Sequence, residues 1–327
     1  MSKVLVTGGA GFIGSHLCDA LVARGDNVVV LDNFSSSTHA NIAHLRHNPN
    51  FELVEGSILD EELLDRVSAE CEWTAHLASA CGVRLIMAEP LQSLRSMVRG
   101  TEMVLDAAQR HGHVRLLLTS TSETYGRNPQ LLDEDADRIF GPITFNRWAY
   151  GTAKAIDEFT AFAFGAELGL PSVVVRLFNT VGPRQSAAYG MVLPRFIEQA
   201  MTGRDLTVYG DGQQSRTFCH VNDVIPAVLA LAEHPDAVGR PFNVGSSEET
   251  TILDLAHRVI KTVGSTSGVR LVDFEAEHPG DFQDIQRRRP DTRRIRDLIG
   301  WEPRKSLQMI VESLVEDSRR RHRPHRL

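Results

Sequence analysis

A glycine-rich turn near the start of the chain is the feature that most constrains the fold. Residues 4–6 form a short apolar run, which is typical of a buried parallel strand. Four glycines follow that run, at Gly8, Gly9, Gly11 and Gly14. Glycines at this spacing let the chain reverse tightly, bring backbone N–H groups close to a diphosphate, and pack the next helix against the strand. The N-terminus of that helix favours an anion, so the turn predicts a dinucleotide site.

An acidic residue after the second predicted strand completes the pattern. Residues 27–31 form that strand, and Asp32 follows it, 21 residues after Gly11. A carboxylate at this position can accept hydrogen bonds from both ribose hydroxyls of an adenosine and would repel a 2′-phosphate. We therefore predict NAD rather than NADP, a preference that an arginine from elsewhere in the chain would reverse. A glycine-rich surface loop is the alternative, and the ordered succession of strand, turn, helix, strand and acid argues against it.

Alternating strands and helices continue beyond this point. Further strands are predicted at 51–54, 74–78, 114–119 and 172–177, with long helices at 90–112 and 149–168. This alternation predicts the α/β class, with a Rossmann-like, doubly wound parallel sheet over residues 1–178 that binds NAD beyond the carboxyl ends of its strands. From residue 179 the elements shorten, with strands at 206–208, 242–244 and 269–273, which predicts a smaller C-terminal α/β substrate domain over 179–327. Residues 216–240 are expected to pack back on the first domain.

Composition and charge argue against several classes of protein. The 327 residues are 42% apolar, which suffices for one large core or two modest ones, and a formal net charge of −7 argues against nucleic acid as a partner. No apolar stretch is long enough to span a membrane, and the first strand begins too early to leave room for a signal peptide, so we expect a cytoplasmic protein. Cys18, Cys71, Cys81 and Cys219 lack metal-ligand spacing, so we expect free thiols and no metal site.

A tyrosine and a lysine lie four residues apart on a predicted helix. Tyr150 and Lys154 therefore share one face of that helix, and no other tyrosine of the chain has lysine at this spacing. A free phenol has a pKa of about 10 and is a poor base at neutral pH, but nearby positive charges from the lysine and an oxidised nicotinamide would lower that pKa. Tyr150 could then remove a hydroxyl proton while hydride leaves the same carbon. A chance pairing is the alternative, expected in roughly one such chain in twenty.

Motifs along nearly the whole chain resemble those of the extended short-chain dehydrogenase/reductase family, whose members act on nucleotide sugars. The motifs are Gly8-x-x-Gly11-x-x-Gly14, His76-Leu77-Ala78, Gly100-Thr101, Tyr125-Gly126, Tyr150-x-x-x-Lys154, Arg176-Leu177-Phe178-Asn179, Gly182-Pro183-Arg184, Tyr209-Gly210-Asp211-Gly212 and Arg216-Thr217-Phe218. The triplet Thr121-Ser122-Glu123 is similar to that of the UDP-glucuronate decarboxylases. In this family, 4,6-dehydratases place Asp-Glu there, and 4-epimerases usually carry a small residue instead of the glutamate.

The resemblance implies NAD-dependent decarboxylation of a UDP-sugar, UDP-glucuronate. A 4-epimerase or 4,6-dehydratase is the alternative activity, and a redox-silent NAD-binding regulatory protein is the alternative class. Oxidation at C4 of the hexuronate would create a ketone β to the carboxylate, so carbon dioxide could leave and the ketone oxygen would receive the electrons. Thr121 and Tyr150 would stabilise the enolate, while Glu123 and Ser122 would orient the carboxylate or manage the proton that C5 gains. Return of the hydride would give the pentose, and without it the 4-keto pentose would be released.

The resemblance also implies which residues form the site. Expected cofactor contacts are Gly8, Gly11, Phe12, Ile13, Gly14, Asp32, Asn33, Ser57, Ile58, Leu77, Ala78, Ser79, Thr119, Tyr150 and Lys154. Expected catalytic residues are Tyr150, Lys154, Thr121, Glu123, Ser122 and Arg216. Expected substrate contacts are Asn179, Val192, Tyr209, Arg216 and Arg288, with Arg288 on the nucleotide diphosphate and Tyr209 in the base pocket. A solvated basic run at 287–289 is the alternative for Arg288, and capping after a strand is the alternative for Ser122 and Glu123.

Some positions depart from the family pattern. Met97 stands where the family usually has asparagine, which removes the usual support of that helix against the nicotinamide pocket. Ser57 replaces a common aspartate beside the adenine, residues 79–82 replace a more proline-rich loop, and residues 278–286 look inserted. The resemblance further implies a homodimer, formed through residues 91–111 and 149–168.

Overall fold

A parallel sheet of seven strands dominates the computed structural model, which describes residues 1–79, 89–186, 191–273 and 285–321. The strands are β1 (Lys3–Thr7), β2 (Asn27–Asp32), β3 (Phe51–Glu55), β4 (Trp73–His76), β5 (Arg115–Thr121), β6 (Ser172–Leu177), β7 (Thr180–Val181), β8 (Leu206–Tyr209), β9 (Ser215–Thr217), β10 (Cys219–His220), β11 (Pro241–Val244), β12 (Glu249–Thr251), β13 (Val269–Val272) and β14 (Arg287–Arg288). The sheet has the order β3-β2-β1-β4-β5-β6-β11, and all its pairs are parallel. The predicted fold class is confirmed.

Helices cover both faces of this sheet and build the second lobe. They are α1 (Phe12–Arg24), α2 (Glu61–Ala69), α3 (Pro90–Leu94), α4 (Gly100–Arg110), α5 (Ala149–Leu168), α6 (Val192–Met201), α7 (Val221–Glu233), α8 (Ile252–Val263), α9 (Arg293–Ile299) and α10 (Leu307–Arg321). A π-helix, Arg95–Arg99, joins α3 to α4, and 3-10 helices lie at His39–Asn41, Ala43–Leu45, Ser122–Tyr125, Asn146–Trp148 and Pro235–Ala237. The strand order reverses between β1 and β4, which is where ligands bind in doubly wound folds.

The turn between β1 and α1 requires its glycines. Gly8 has φ +71°, and a Cβ there would lie 2.7 Å from the backbone N of Ala78. A Cβ on Gly14 would lie 2.2 Å from the carbonyl oxygen of Gly8. Neither space admits a side chain, so the glycines bring α1 directly against the carboxyl ends of β1 and β4.

The strand at 242–244 was predicted in the smaller domain, and this placement is wrong. β11 instead pairs in parallel with β6, where Phe242 lies beside Val175 and Val244 beside Leu177. Phe242 and Val244 are fully buried there, together with α7, which precedes the strand and packs against α1. A short apolar strand indicates burial but not its partner, which here lies more than 60 residues away along the chain.

The helix predicted over 90–112 is not continuous. Its middle turn is the π-helix Arg95–Arg99, within which Met97 is fully buried. Neither glycine nor proline marks this change within residues 91–99, so local sequence carries no signal for it. Such turns occur often at functional sites, and this one directly precedes the turn that carries Thr101.

The second lobe packs around its own apolar cluster. Helices α6, α8 and α10 bury the residues Leu193, Phe196, Leu255, Val259, Ile310 and Leu314 against the parallel pair β8 and β13. A separate three-stranded sheet has the order β12-β9-β14 and sets Arg288 beside Arg216 in register.

A membrane-spanning helix and a metal-binding cluster are both absent from the described ranges. No helix there is long and apolar enough to cross a membrane. No group of three His, Cys, Asp or Glu side chains in those ranges is placed to hold a metal ion.

Candidate active site

Asp32 lies at the carboxyl end of β2, directly against the glycine turn. Its Oδ2 accepts a hydrogen bond from the backbone N of Ala10 at 2.9 Å, and its Oδ1 accepts from the N of Phe34 at 2.9 Å and from Ser37 Oγ at 2.8 Å. The side chain of the next residue, Asn33, accepts from the N of Ser35 at 3.1 Å. These contacts hold the acid where an adenosine ribose would meet it, and Phe12 and Ile13 open the helix beside it.

The carboxyl ends of β4 and β5 form the floor of the same crevice. Thr119 Oγ1 donates to the carbonyl oxygen of His76 at 3.1 Å, and Thr7 Oγ1 accepts from the N of Ala78 at 3.3 Å. Leu77 precedes Ala78, and the buried hydroxyl of Ser79 that follows has no hydrogen-bond partner among the described residues. A glycine turn without space for side chains and a buried hydroxyl without a partner fit a dinucleotide lying across the switch point.

Ser57 and Ile58 lie at the far side of this crevice, after β3. Ser57 Oγ accepts from the N of Leu59 at 3.2 Å, so here the side chain closes a local turn. Ile58 is buried, and a Cβ on Gly100 would lie 2.5 Å from its Cδ1. Gly100 therefore lets the helix α4 approach this wall of the crevice.

A charged cluster lies beyond the end of β5. The Glu123 carboxylate accepts from Arg147 Nη1 at 2.7 Å through Oε2 and pairs with Arg288 Nη2 at 2.7 Å through Oε1. Arg288 Nη1 also contacts Ser122 Oγ at 3.4 Å. Burial would raise the pKa of Glu123, but the charges of Arg147 and Arg288 outweigh it and lower the pKa to about 2. The carboxyl is therefore ionised at neutral pH and is held between two guanidinium groups.

Local structure orients Glu123 toward this cluster. Thr121 Oγ1 accepts from the N of Glu123 at 3.2 Å and caps the 3-10 helix Ser122–Tyr125, so Thr121 is the capping residue rather than Ser122 or Glu123. The capping contact uses an oxygen lone pair, which leaves the Thr121 hydroxyl hydrogen for a ligand. A Cβ on Gly151 would lie 2.3 Å from the carbonyl oxygen of Glu123. Because the residue after Tyr150 is glycine, α5 can contact the Glu123 backbone.

Long-range pairing places Arg288. Its strand β14 runs beside β9. Two residues after Arg288, Pro290 forms a β-bridge with Leu132: the N of Leu132 donates to the carbonyl oxygen of Arg289 at 3.1 Å, and the N of Asp291 donates to the carbonyl oxygen of Leu132 at 2.8 Å. Arg288 is only 6% exposed, so it does not belong to a solvated basic run, in contrast to its exposed neighbour Arg287. The guanidinium that the resemblance places on a diphosphate lies against Glu123 and Ser122 in this structure.

Lys154, one helical turn after Tyr150 on α5, is buried. Its Nζ donates to Asp157 Oδ2 at 3.1 Å. Nearby, Thr101 Oγ1 contacts His76 Nε2 at 3.1 Å, and His76 Nδ1 contacts Thr7 Oγ1 at 2.6 Å. Burial, assisted by the charge of Lys154, lowers the pKa of His76 to about 3. His76 is therefore neutral and links the base of α4 to the glycine turn.

The expected substrate contacts lie in the second lobe and at its junction with the sheet. Asn179 follows β6 with φ +35° and donates from Nδ2 to the carbonyl oxygen of Thr217 at 2.8 Å. Arg216 is the register partner of Arg288, so the two side chains leave neighbouring strands. Tyr209 is the last residue of β8, and the Arg195 guanidinium lies 4.9 Å from the centre of its ring. Val192 is the first residue of α6.

Two residues of this site were not predicted from the sequence. Arg147 pairs with Glu123, and Asp157 pairs with Lys154. Spacing offered a signal for each, because Arg147 stands three residues before Tyr150 and Asp157 three after Lys154, so all four lie on or next to one helix.

Comparisons with known proteins agree with this geometry. The sequence model of the NAD dependent epimerase/dehydratase family matches residues 4–245. UDP-N-acetyl-alpha-D-glucosaminuronate decarboxylase of Bacillus cytotoxicus is 34% identical over 96% of this chain and 97% of its own length. UDP-glucuronic acid decarboxylase 4 of Arabidopsis thaliana is 37% identical over 98% of this chain and 69% of its own length.

Solved structures extend the similarity to the whole fold. The UDP-glucuronic acid 4-epimerase of Bacillus cereus, in complex with UDP-glucuronic acid and NAD, has a TM-score of 0.89 at 27% identity, covering 98% of this chain and 100% of its own. The predicted family is thereby confirmed: this chain belongs to the NAD dependent epimerase/dehydratase family.

Proposed function

We propose that the chain is an NAD-dependent decarboxylase of a UDP-linked uronic acid, UDP-glucuronate. The observation that carries this proposal is Glu123 held between Arg147 and Arg288, beside the helix that bears Tyr150 and Lys154. Two guanidinium groups and one carboxylate leave a net charge of +1, which suits one further carboxylate. The decarboxylases among the similar proteins support the same assignment.

The first step concerns the C4 hydroxyl of the sugar. NAD, when bound along the glycine turn and Asp32, would accept hydride from C4. Tyr150 takes the hydroxyl proton, and the ammonium of Lys154 on the same helix face stabilises the phenolate that must form first. Asp32 favours NAD over NADP because its carboxylate would meet a 2′-phosphate with like charge.

Carboxyl loss follows from the 4-ketone. The C5–carboxyl bond breaks, carbon dioxide leaves, and the electron pair moves to the C4 oxygen, where the hydroxyls of Thr121 and Tyr150 donate hydrogen bonds. The charges of Arg147 and Arg288 lower the pKa of Glu123, so this carboxyl is ionised at neutral pH and is a poor donor of the proton that C5 gains. We assign Glu123 to holding Arg147 and Arg288 around the carboxylate, with Ser122 beside them.

A direct assay tests the proposal. Purified protein with NAD and carboxyl-labelled UDP-glucuronate should release labelled carbon dioxide, and the mass of the product should identify the pentose or the 4-keto pentose. Tyr150→Phe should abolish release without loss of folding. Absence of release from both UDP-glucuronate and UDP-N-acetylglucosaminuronate would overturn the assignment.

A uronate 4-epimerase is the second candidate, because the similar solved structure from Bacillus cereus bears that name. It predicts a C4 epimer with the carboxyl retained in the same assay. The glutamate at position 123 argues against it, since the resemblance leads us to expect a small residue there in 4-epimerases.

We further propose a homodimer in the cytoplasm. Leu91 on α3 and Ile156 and Phe159 on α5 are 61%, 43% and 65% exposed, and the two helices contact each other, so a second copy would cover this apolar face. Phe159→Glu should give a monomer in sedimentation velocity. Val114→Glu, at a 58% exposed position outside these helices, should leave the sedimentation of the parent unchanged.

A further inference from the structure

The ammonium of Lys154 is paired inside the protein. Its partner is Asp157, at 3.1 Å, and the side chains of Lys154 and Asp157 are 3% and 0% exposed. Among the described residues, Asp157 is the one acceptor in hydrogen-bond contact with Lys154 Nζ. Met97, which stands where the family resemblance leads us to expect asparagine, is fully buried and offers a thioether instead of an amide.

The surroundings of Asp157 act on its charge in both directions. On the neighbouring helix, the Thr101 hydroxyl favours the carboxylate form, although no described group makes an ordinary hydrogen bond to Asp157 Oδ1. Glu158 is the neighbouring charge on the same helix, and its own carboxylate is occupied by Arg176 and Arg138. Burial raises the pKa of Asp157, whereas the charge of Lys154 and its hydrogen bond favour the carboxylate. Protonation of Asp157 would leave the Lys154 ammonium buried without a counter-ion, which is destabilising.

We propose that Asp157 is a positioning residue that acts through Lys154: it holds the ammonium in place and weakens the field that this ammonium exerts on the Tyr150 hydroxyl. The inference rests on the proposed role of Tyr150 as base. An ammonium paired with a carboxylate acts on a group one helical turn away as a dipole rather than as a full charge. Removal of the carboxylate charge would therefore favour the Tyr150 phenolate.

Asp157→Asn tests this effect because it keeps the size of the side chain and an oxygen that can accept from Lys154. With NAD bound, ultraviolet difference titration should show Tyr150 ionising about one pH unit lower in Asp157→Asn than in the parent. Subtraction of the matching Tyr150→Phe titration separates Tyr150 from the other tyrosines. An unchanged titration in a folded Asp157→Asn protein would overturn the proposal.

Two further variants keep the test decisive. If Asp157→Asn does not fold, Asp157→Ser also removes the charge and should give a shift in the same direction, and an unshifted titration there overturns the proposal equally. Ser120→Ala is the matched control, since it removes a buried hydrogen bond to the adjacent Glu158 and should leave the titration unchanged. The titration requires no sugar, so its result is independent of whether carbon dioxide is released.

Discussion

Two clusters of one glutamate and two arginines lie near the end of β5, and they differ in how completely the glutamate is bonded. Glu158 is 1% exposed, and its two oxygens accept from Ser120 Oγ, from two nitrogens of Arg176 and from Arg138. The side chain of Glu123 is 12% exposed, and each of its oxygens has one guanidinium partner.

This difference shows that residue composition alone does not identify a functional ion cluster. A glutamate whose lone pairs are all used cannot accept a ligand or change partners, so the Glu158 cluster acts as structure, joining α5 to β5 and β6. The Glu123 cluster retains hydrogen-bonding capacity and lies beside Tyr150. We therefore expect substitutions in the first cluster to change stability alone and substitutions in the second to change activity as well as stability.

The largest effect is expected from Glu158→Gln. This change leaves the guanidinium of Arg176 buried with an incomplete partner, so the free energy of unfolding should decrease by about 3–5 kcal/mol in denaturant titrations. A loss below about 1 kcal/mol would contradict the structural role of the Glu158 cluster.

The pH dependence of stability isolates the Glu123 cluster. Because the folded pKa of Glu123 is about 2, below its usual 4.5, this cluster contributes roughly 3 kcal/mol of stability above pH 4.5, which is lost as pH falls toward 2. Burial of neutral His76 adds a loss in the same direction as pH falls from 6.5 toward 3. The difference in unfolding free energy between the parent and Glu123→Gln, measured across pH, removes the His76 contribution. If this difference is independent of pH between 4.5 and 2, the paired state of Glu123 is wrong.

Carbon dioxide release should fall more in Glu123→Gln than in Glu158→Gln. Glu123→Gln removes the charge that holds Arg147 and Arg288, and we expect carbon dioxide release to fall about 100-fold, or about 2.7 kcal/mol in the activation free energy, with NAD binding unchanged. The fraction of Glu158→Gln that remains folded should keep a turnover within a few-fold of the parent. Release at the parental rate in Glu123→Gln would refute the decarboxylase mechanism and leave the fold untouched.

The smallest effect is expected at Gly151, where α5 contacts the Glu123 backbone. An added methyl group at 2.3 Å from the Glu123 carbonyl oxygen must push the 3-10 helix away. Gly151→Ala should lower turnover about tenfold, or about 1.4 kcal/mol. Gly165→Ala is the control on the same helix, since its nearest contact would be 3.2 Å from the Leu170 oxygen, and it should keep the parental turnover.

Local patterns of the chain predicted much of this organisation. The apolar run before Gly8, the glycine spacing and Asp32 each describe a few consecutive residues whose geometry is imposed by the backbone, and the fold class follows from their order. The spacing of Tyr150 and Lys154 likewise follows from helix periodicity alone. The roles assigned to these side chains stay predictions until the assays above are made.

Long-range contacts could not be predicted in this way. Only the tertiary structure shows that β11 completes the main sheet, that Arg288 reaches Glu123 across 165 positions, and that Asp157 rather than the residue at position 97 accepts from Lys154. The amino-acid sequence by itself determined the order of the main helices and strands and which chemical groups are present, because helix and strand periodicity are local. Which charge meets which partner was decided by strand pairing between distant segments, because the pairing energy depends on burial and distance that exist only in the folded chain.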